Sequence, residues 1–417
     1  MNRKVLVLAV ISMSISTSAF SASRLGGVTQ KGSLLIFPRV EALAPSNGAS
    51  GFSDTLINIT NDSSKPVNLQ CYWGTTEQHA DRRAPGLGGN TAPNRKAKLA
   101  RHTIRRSHYM AFSFKLTRNQ PALFWAGDLS DTENASNSAA SGLNNLVSTK
   151  NTPQFNNFQD GTQANAGELR CWAISNTGTR EIHHNHLVGK ATIVTFAPDS
   201  KAAVPTAAGQ AHEYNAWAFQ AYYLGSNDIK HTGRALATPG QLDLDGKEYD
   251  LCPSALVGQF MPARHNLDGA NTRTQISIAN CHKDLTQDGD AHITNLNYTV
   301  YNANEVKFSG PNECMGAWYE SDLAAKFPHF TYKTLKTDSA YFIVRPTASR
   351  LCNKGSQKGK MEKDIEASSI VGVQVNDIGG VYQTSSNLVG LGGGSDTANP
   401  PAGKMLWEPD YGDMGKK

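Results

Sequence analysis

The chain has 417 residues, of which 39% are hydrophobic and 18% charged, and glycine is abundant at 37. That apolar share suffices for buried cores, and at about 100–200 residues per domain the length allows two or three of them. The composition fits glycine- and asparagine-rich β-proteins better than helical bundles, which lean on Ala, Glu, Lys and Leu, and a net charge of +5 is far milder than the concentrated basic surface of a nucleic-acid binder.

Residues 1–21 read as a signal peptide. Arg3 and Lys4 form a basic start, Val5–Ile11 an apolar run, and Ala19 and Ser21 stand as in a small-residue cleavage site. Cleavage is expected after Ser21, with Ala19 as second choice. The apolar run is shorter than the ~18–20 residues of a membrane span, and no later segment is apolar enough to act as one. The expected destination is therefore extracellular or the cell surface, with the periplasm as the alternative.

From Ser33 onward the pattern is strand-like. Ser33–Val40 is a short apolar run. Thr55–Thr60 alternates around Leu56, Ile57 and Ile59, Asn61–Pro66 supplies turn residues, and Val67–Trp73 reads as the return strand of a hairpin. His108–Leu116, Glu168–Ile174, Leu187–Phe196 and Tyr214–Tyr223 are further strands. Two insertions low in hydrophobicity, 78–106 and 130–166, are expected as surface excursions. Gly225–Tyr249 has little alternation and is taken as the inter-domain boundary, giving a first domain over 22–235 and a second over 236–417. In the second, Arg273–Ile278, Asn295–Tyr301, Ser339–Val344 and Ile370–Val375 are candidate strands, Asp322–Phe327 a short helix, and Gly390 onward a glycine- and proline-rich tail with an extended segment near Met405–Trp407. The expected fold is mainly β: two β-sandwich, immunoglobulin-like domains with long surface insertions.

The six cysteines are Cys71, Cys171, Cys252, Cys281, Cys314 and Cys352. None forms a C-x-x-C pair, so zinc-ribbon, thioredoxin-like and haem-attachment patterns are absent. In an exported chain they are expected as structural disulfides. Cys71 and Cys171 pair within the first domain, closing a loop of about 100 residues. The other four allow three pairings, of which Cys252–Cys281 with Cys314–Cys352 is preferred.

Sites with chemistry are few. In Ile182-His183-His184-Asn185-His186, a strand would put His184 and His186 on one face as weak candidates for zinc or copper, with His102, His108 and His212 as loose third ligands. His212-Glu213 lacks the second histidine of H-E-x-x-H, since Ala216 stands there. Asp243-Leu244-Asp245-Gly246 and Asp288-Gly289-Asp290 resemble calcium-loop fragments without the closing glutamate, and Asp-Gly is an ordinary turn. Gly390–Gly394 lacks the spacing of a phosphate loop and reads as a loop only. The basic stretch Arg95 to Arg106 offers screened attraction to anionic polysaccharide, lipid or extracellular DNA. No G-x-S-x-G elbow is present. No catalytic residue and no cofactor are assigned.

Several phrases resemble an uncharacterised family of exported bacterial proteins: Lys31–Pro38 (KGSLLIFP), Asn119-Gln120-Pro121, Gly167–Ala173 (GELRCWA), Asn185-His186-Leu187, Glu213–Trp217 (EYNAW) and Asn304–Gly310 (NEVKFSG). They are spread over most of the mature chain. The resemblance implies a secreted or envelope protein and brings no activity, cofactor or partner; the two long insertions depart from it. The resulting expectation is a non-catalytic exported protein, structural or adhesive at the cell surface or in the extracellular matrix, whose partners are other envelope or matrix proteins or an anionic polysaccharide. The rival is a secreted carbohydrate-binding or carbohydrate-active protein using Trp125, Trp217 or Trp318 as sugar platforms.

Overall fold

The computed structural model describes residues 25–42, 44–45, 52–78, 104–127, 165–175, 181–197, 207–221, 244, 249–264, 272–281, 293–349, 352, 368–379 and 382–393. The expected signal peptide, the expected domain boundary at 235/236, most of both insertions and the segment near Met405–Trp407 lie outside them. The described part is mainly β, with four antiparallel sheets.

The first half contributes β1 (Leu34–Glu41), β2 (Ala44–Pro45), β3 (Phe52–Asn61), β4 (Val67–Gln78), β5 (Ile104–Leu116), β6 (Gln120–Trp125), β7 (Ala166–Ile174), β8 (Leu187–Ala197), β9 (Ala207–Asn215) and β10 (Trp217–Phe219). Sheet I runs β10-β1-β7-β4-β5, and sheet II runs β2-β3-β8-β9 with β6 also paired to β3. The alternation in β5 shows why these faces meet. Met110, Phe112, Phe114 and Leu116 are buried while Ala111, Ser113 and Lys115 between them are exposed, so one face of sheet I enters a core shared with Ile57, Ile59, Phe124 and Ile193 of sheet II.

Three expectations about this half change. Thr55–Thr60 and Val67–Trp73 are strands, but β3 pairs with β6 and β8 whereas β4 pairs with β5 and β7. The turn at residues 61–66 therefore carries the chain from one sheet to the other and closes no hairpin. It is held by Asn61, whose Nδ2 donates to Lys65 O (2.8 Å) and Thr117 O (2.9 Å). Arg105 and Arg106, expected at the end of the basic loop, lie in β5, because the β4–β5 ladder continues as far as Gln78 opposite Ile104. Likewise Tyr214–Tyr223 is not one strand. β9 ends at Asn215 in sheet II, and β10 resumes in sheet I.

The second half contributes β11 (Pro253–Phe260), β12 (Thr272–Asn280), β13 (Thr294–Asn302), β14 (Lys307–Met315), β15 (Trp318–Asp322), α1 (Leu323–Lys326), α2 (Tyr332–Leu335), β16 (Ala340–Thr347), β17 (Ile370–Ile378), β18 (Tyr382–Asn387) and β19 (Val389–Gly393). Sheet III runs β15-β12-β17-β18 and sheet IV runs β14-β13-β16-β11-β19. Between them lie Leu256, Ile276, Ile278, Leu296, Phe342 and Ile370, with Tyr298 at ring distances of 5.9–6.3 Å from Phe327, Phe330 and Phe342. The short helix expected at Asp322–Phe327 is α1, whose first turn is capped by Asp322 Oδ1 accepting from Ala325 N at 3.1 Å. The register of β13 against β14 shifts between Asn297 and Thr299. Gly310 lies opposite this irregularity, where a Cβ would collide with the Tyr298 carbonyl. Gly390–Gly393 is part of β19, paired with β11, and not a loop. Ladder bonds use only backbone atoms, so a glycine run can complete a sheet edge.

The six cysteines form three pairs at disulfide-bonding distance: Cys71–Cys171, Cys252–Cys281 and Cys314–Cys352, with Cα separations of 4.1, 6.4 and 5.5 Å. Cys71 and Cys171 stand directly opposite on β4 and β7 of one sheet, whereas the antibody bridge joins two sheets. Closing about 100 residues, this bridge contributes up to ~4.7 kcal/mol on the chain-entropy account.

Candidate functional site

The strongest concentration of buried chemistry is the seam where sheet I meets sheet III. It begins with an irregularity in β1. Pro38 cannot donate to a ladder, and the register of β1 against β7 shifts between Phe37 and Val40. Before the shift Leu35 and Phe37 point into the first-half core while Leu34 and Ile36 join the core of the second half; after it Val40 and Ala42 take the first-half core. The extra residue thus turns Arg39 and Glu41 toward the second half. The Tyr214 hydroxyl stitches the distorted backbone, accepting from Arg39 N (3.1 Å) and donating to Arg39 O.

Arg39, 3% exposed, then reaches across the seam. Its guanidinium pairs with Glu41, and meets Glu320 at 3.0 Å, Gln275 Oε1 at 3.0 Å and Ser277 Oγ at 3.3 Å. Burial alone would make Arg39 easier to deprotonate, but Glu41 and then Glu320 outweigh it and hold the pKa above its ordinary value. Burial likewise opposes ionisation of Glu41, yet Arg39 and the Ser53 hydroxyl bring its pKa below the usual carboxylate range. Glu320 goes the other way: burial, aided by the charge of Glu41, raises it against the pull of Arg39. His212, on β9 two residues before Tyr214, is pushed down to about 4 by burial and by Arg39; its Nδ1 is buried with no hydrogen-bond partner.

Further along the seam, Arg170 is clasped by Glu168 at 2.8–2.9 Å and donates to the Asn280 carbonyl of β12. Burial raises the Glu168 pKa despite that arginine. Two indoles complete the join. Trp318 Nε1 donates to Pro38 O at 2.7 Å and Trp217 Nε1 to Gly372 O at 3.1 Å. Along one edge Ser385 and Asn387 of β18 bond the backbone of Glu213 and Asn215 at 2.6 and 2.7 Å. The N-terminal segment ties in as well: Gln30 Nε2 donates to Ala218 O and to the buried Asp250, both at 2.8 Å.

These positions decide several sequence expectations. Trp217 and Trp318, at 3% and 5% exposure, are seam residues and offer no sugar platform; Trp125 is half-buried. His184 and His186 do not share a strand face. They occupy the turn into β8, with rings 5.2 Å apart. His184 is buried, its Nε2 2.9 Å from Asn61 Oδ1, while His186 Nδ1 is 3.0 Å from Asp62 Oδ1. Burial and neighbouring His186 push His184 down to about 4. Lys31 pairs with Asp62 from the other side. His212 belongs to the seam, the side chain of His108 and all of His102 lie outside the description, and among the described residues no group of three His, Cys, Asp or Glu side chains could hold a metal ion. Arg95 to Arg101, Asp243, Asp245 and Asp288–Asp290 also lie outside the described residues. No described helix is long and apolar enough to cross a membrane.

Arg39, Glu41, Gln275, Ser277 and Glu320 escaped the sequence reading. The one local signal was Pro38 inside an apolar strand. Comparison with protein-family models, with curated proteins and with solved structures finds no match.

Proposed function

We propose that the protein is exported and non-catalytic, serving a structural or adhesive role at the cell surface or in the extracellular matrix. The seam carries this reading. The charged and indole side chains that a catalytic site would deploy in a cleft are here spent on locking two sandwiches together. Three cysteine pairs at bonding distance suit an oxidising compartment, and the N-terminal sequence supplies a route to it.

Cell fractionation with N-terminal sequencing and a thiol count tests the reading. The expected product lies outside the cytoplasm, begins at Ala22 or Phe20, and shows no reactive thiol when denatured without reductant. Recovery in the cytoplasm with Met1 retained and six free thiols would contradict it.

A further inference from the structure

The outer face of sheet IV carries a different constellation. Residues opposed across a ladder share a face, so the register defines rows. Lys307, Tyr301, Tyr341 and Gln259 form one; Ser309, Thr299, Ile343, Val257 and Val389 form the next; Asn312, Asn297 and Arg345 follow. The alternate residues of these strands, such as Leu256, Tyr298, Val300 and Phe342, fill the core, so the named rows face outward. Tyr301 and Tyr341 stack at 4.8 Å with planes 9° apart. Val389 is 62% exposed. The rows hold two cations and no carboxylate. Glu305 and Asp338 lie in the turns beyond the tyrosine row, and Asp338 is already ion-paired with Arg264.

We infer that this face binds an acidic polysaccharide of the polyuronate class, through the stacked pair Tyr301–Tyr341 with Lys307 in the same row and Arg345 two rows away. A sugar ring presents an apolar C–H face and a rim of hydroxyls. The tyrosines and the Ile343–Val257–Val389 row match the first, and the amides of Asn297, Asn312 and Gln259 match the second. Uronate carboxylates meet Lys307 and Arg345, where no acid on the rows competes. Strands about 4.8 Å apart give four of them a breadth of roughly 14 Å, room for a short run of sugar rings across the sheet. The inference deepens the adhesive reading by naming what is adhered to, and rests on that reading only for the encounter outside the cell.

The test uses the full mature chain in affinity electrophoresis and calorimetry with polygalacturonate, and with dextran as neutral control. Polygalacturonate is expected to bind at least ~10-fold more tightly than dextran, and Lys307→Gln with Arg345→Gln, or Tyr301→Ala with Tyr341→Ala, to lose at least ~10-fold. Replacing Arg95, Lys96, Lys98 and Arg101 with glutamine should leave affinity within ~3-fold if the rows of sheet IV carry the contact, since a lowered net charge alone weakens only screened attraction. The Lys307/Arg345 variant alters only surface side chains, so it decides the matter even if the tyrosine variant fails to fold. No binding by the wild type, equal binding of dextran, or loss only with the Arg95–Arg101 variant would overturn the assignment. Such an outcome leaves the fractionation result standing, and cytoplasmic recovery would in turn leave this binding measurement untouched.

Discussion

Arg39→Met is expected to lower the unfolding free energy by about 3–5 kcal/mol, because it strands a buried carboxylate. Glu41 is 8% exposed, and Arg39 is what keeps it ionised there. The same change removes the bonds to Ser277, Gln275 and Glu320 across the seam. Adding Glu41→Gln should recover part of the loss, since the stranded group is then neutral. Glu320→Gln alone should cost only about 1 kcal/mol, as burial already disfavours its charge and the amide oxygen can still accept from Arg39. Urea unfolding of the single and double variants measures all three, and a double variant no more stable than Arg39→Met would show that Glu41 is not the stranded charge.

Stability is expected to fall as pH drops from about 6.5 to about 4. His212 and His184 each have a folded pKa of about 4 against an ordinary 6.5. Between those values the unfolded chain binds protons that the folded chain refuses, so unfolding gains on acidification. For His212 the full effect is on the order of 3 kcal/mol at 1.36 kcal/mol per unit; His184, beside exposed His186 and Asp62, should contribute less. Glu41, with its lowered pKa, adds a further loss as pH falls below the usual carboxylate range. Glu168 and Glu320, raised by burial, act with the opposite sign, binding protons in the folded state first and offsetting part of the loss. Unfolding curves recorded from pH 7 to 4 for the wild type and His212→Gln check this. The variant should lose about 3 kcal/mol less over that range, and an unchanged slope would show that His212 does not drive the loss.

Much of the strand content was legible because it is written locally. Met110, Phe112 and Phe114 recur at every second position, since a half-buried strand must present every second residue to the core; β12 shows the same period around Ile276 and Ile278, although Ser277 between them is buried as well, in the seam. The short helix expected at Asp322–Phe327 is α1, and the structure adds its cap at Asp322. Pairing partners were not legible in the same way: the alternation in β3 and β4 says that each has one apolar face, not which sheet it joins, and the intervening turn residues suit a sheet crossing as well as a hairpin. Gly390–Gly393 read as a loop because a strand edge made of backbone bonds leaves no side-chain pattern. Pro38 was the visible trace of the irregularity that aims Arg39, but its partners Gln275, Ser277 and Glu320 lie more than two hundred residues away. Tyr301 and Tyr341 both fell in expected strands, and only the register set their rings together.

A buried polar and apolar seam locks the two halves of the chain into one structural unit. Differential scanning calorimetry of the full chain under non-reducing conditions tests this join. The seam predicts a single endotherm whose calorimetric and van't Hoff enthalpies agree, and its separation into two transitions in Arg39→Met. Two resolved transitions in the wild type, unaffected by Arg39→Met, would contradict it.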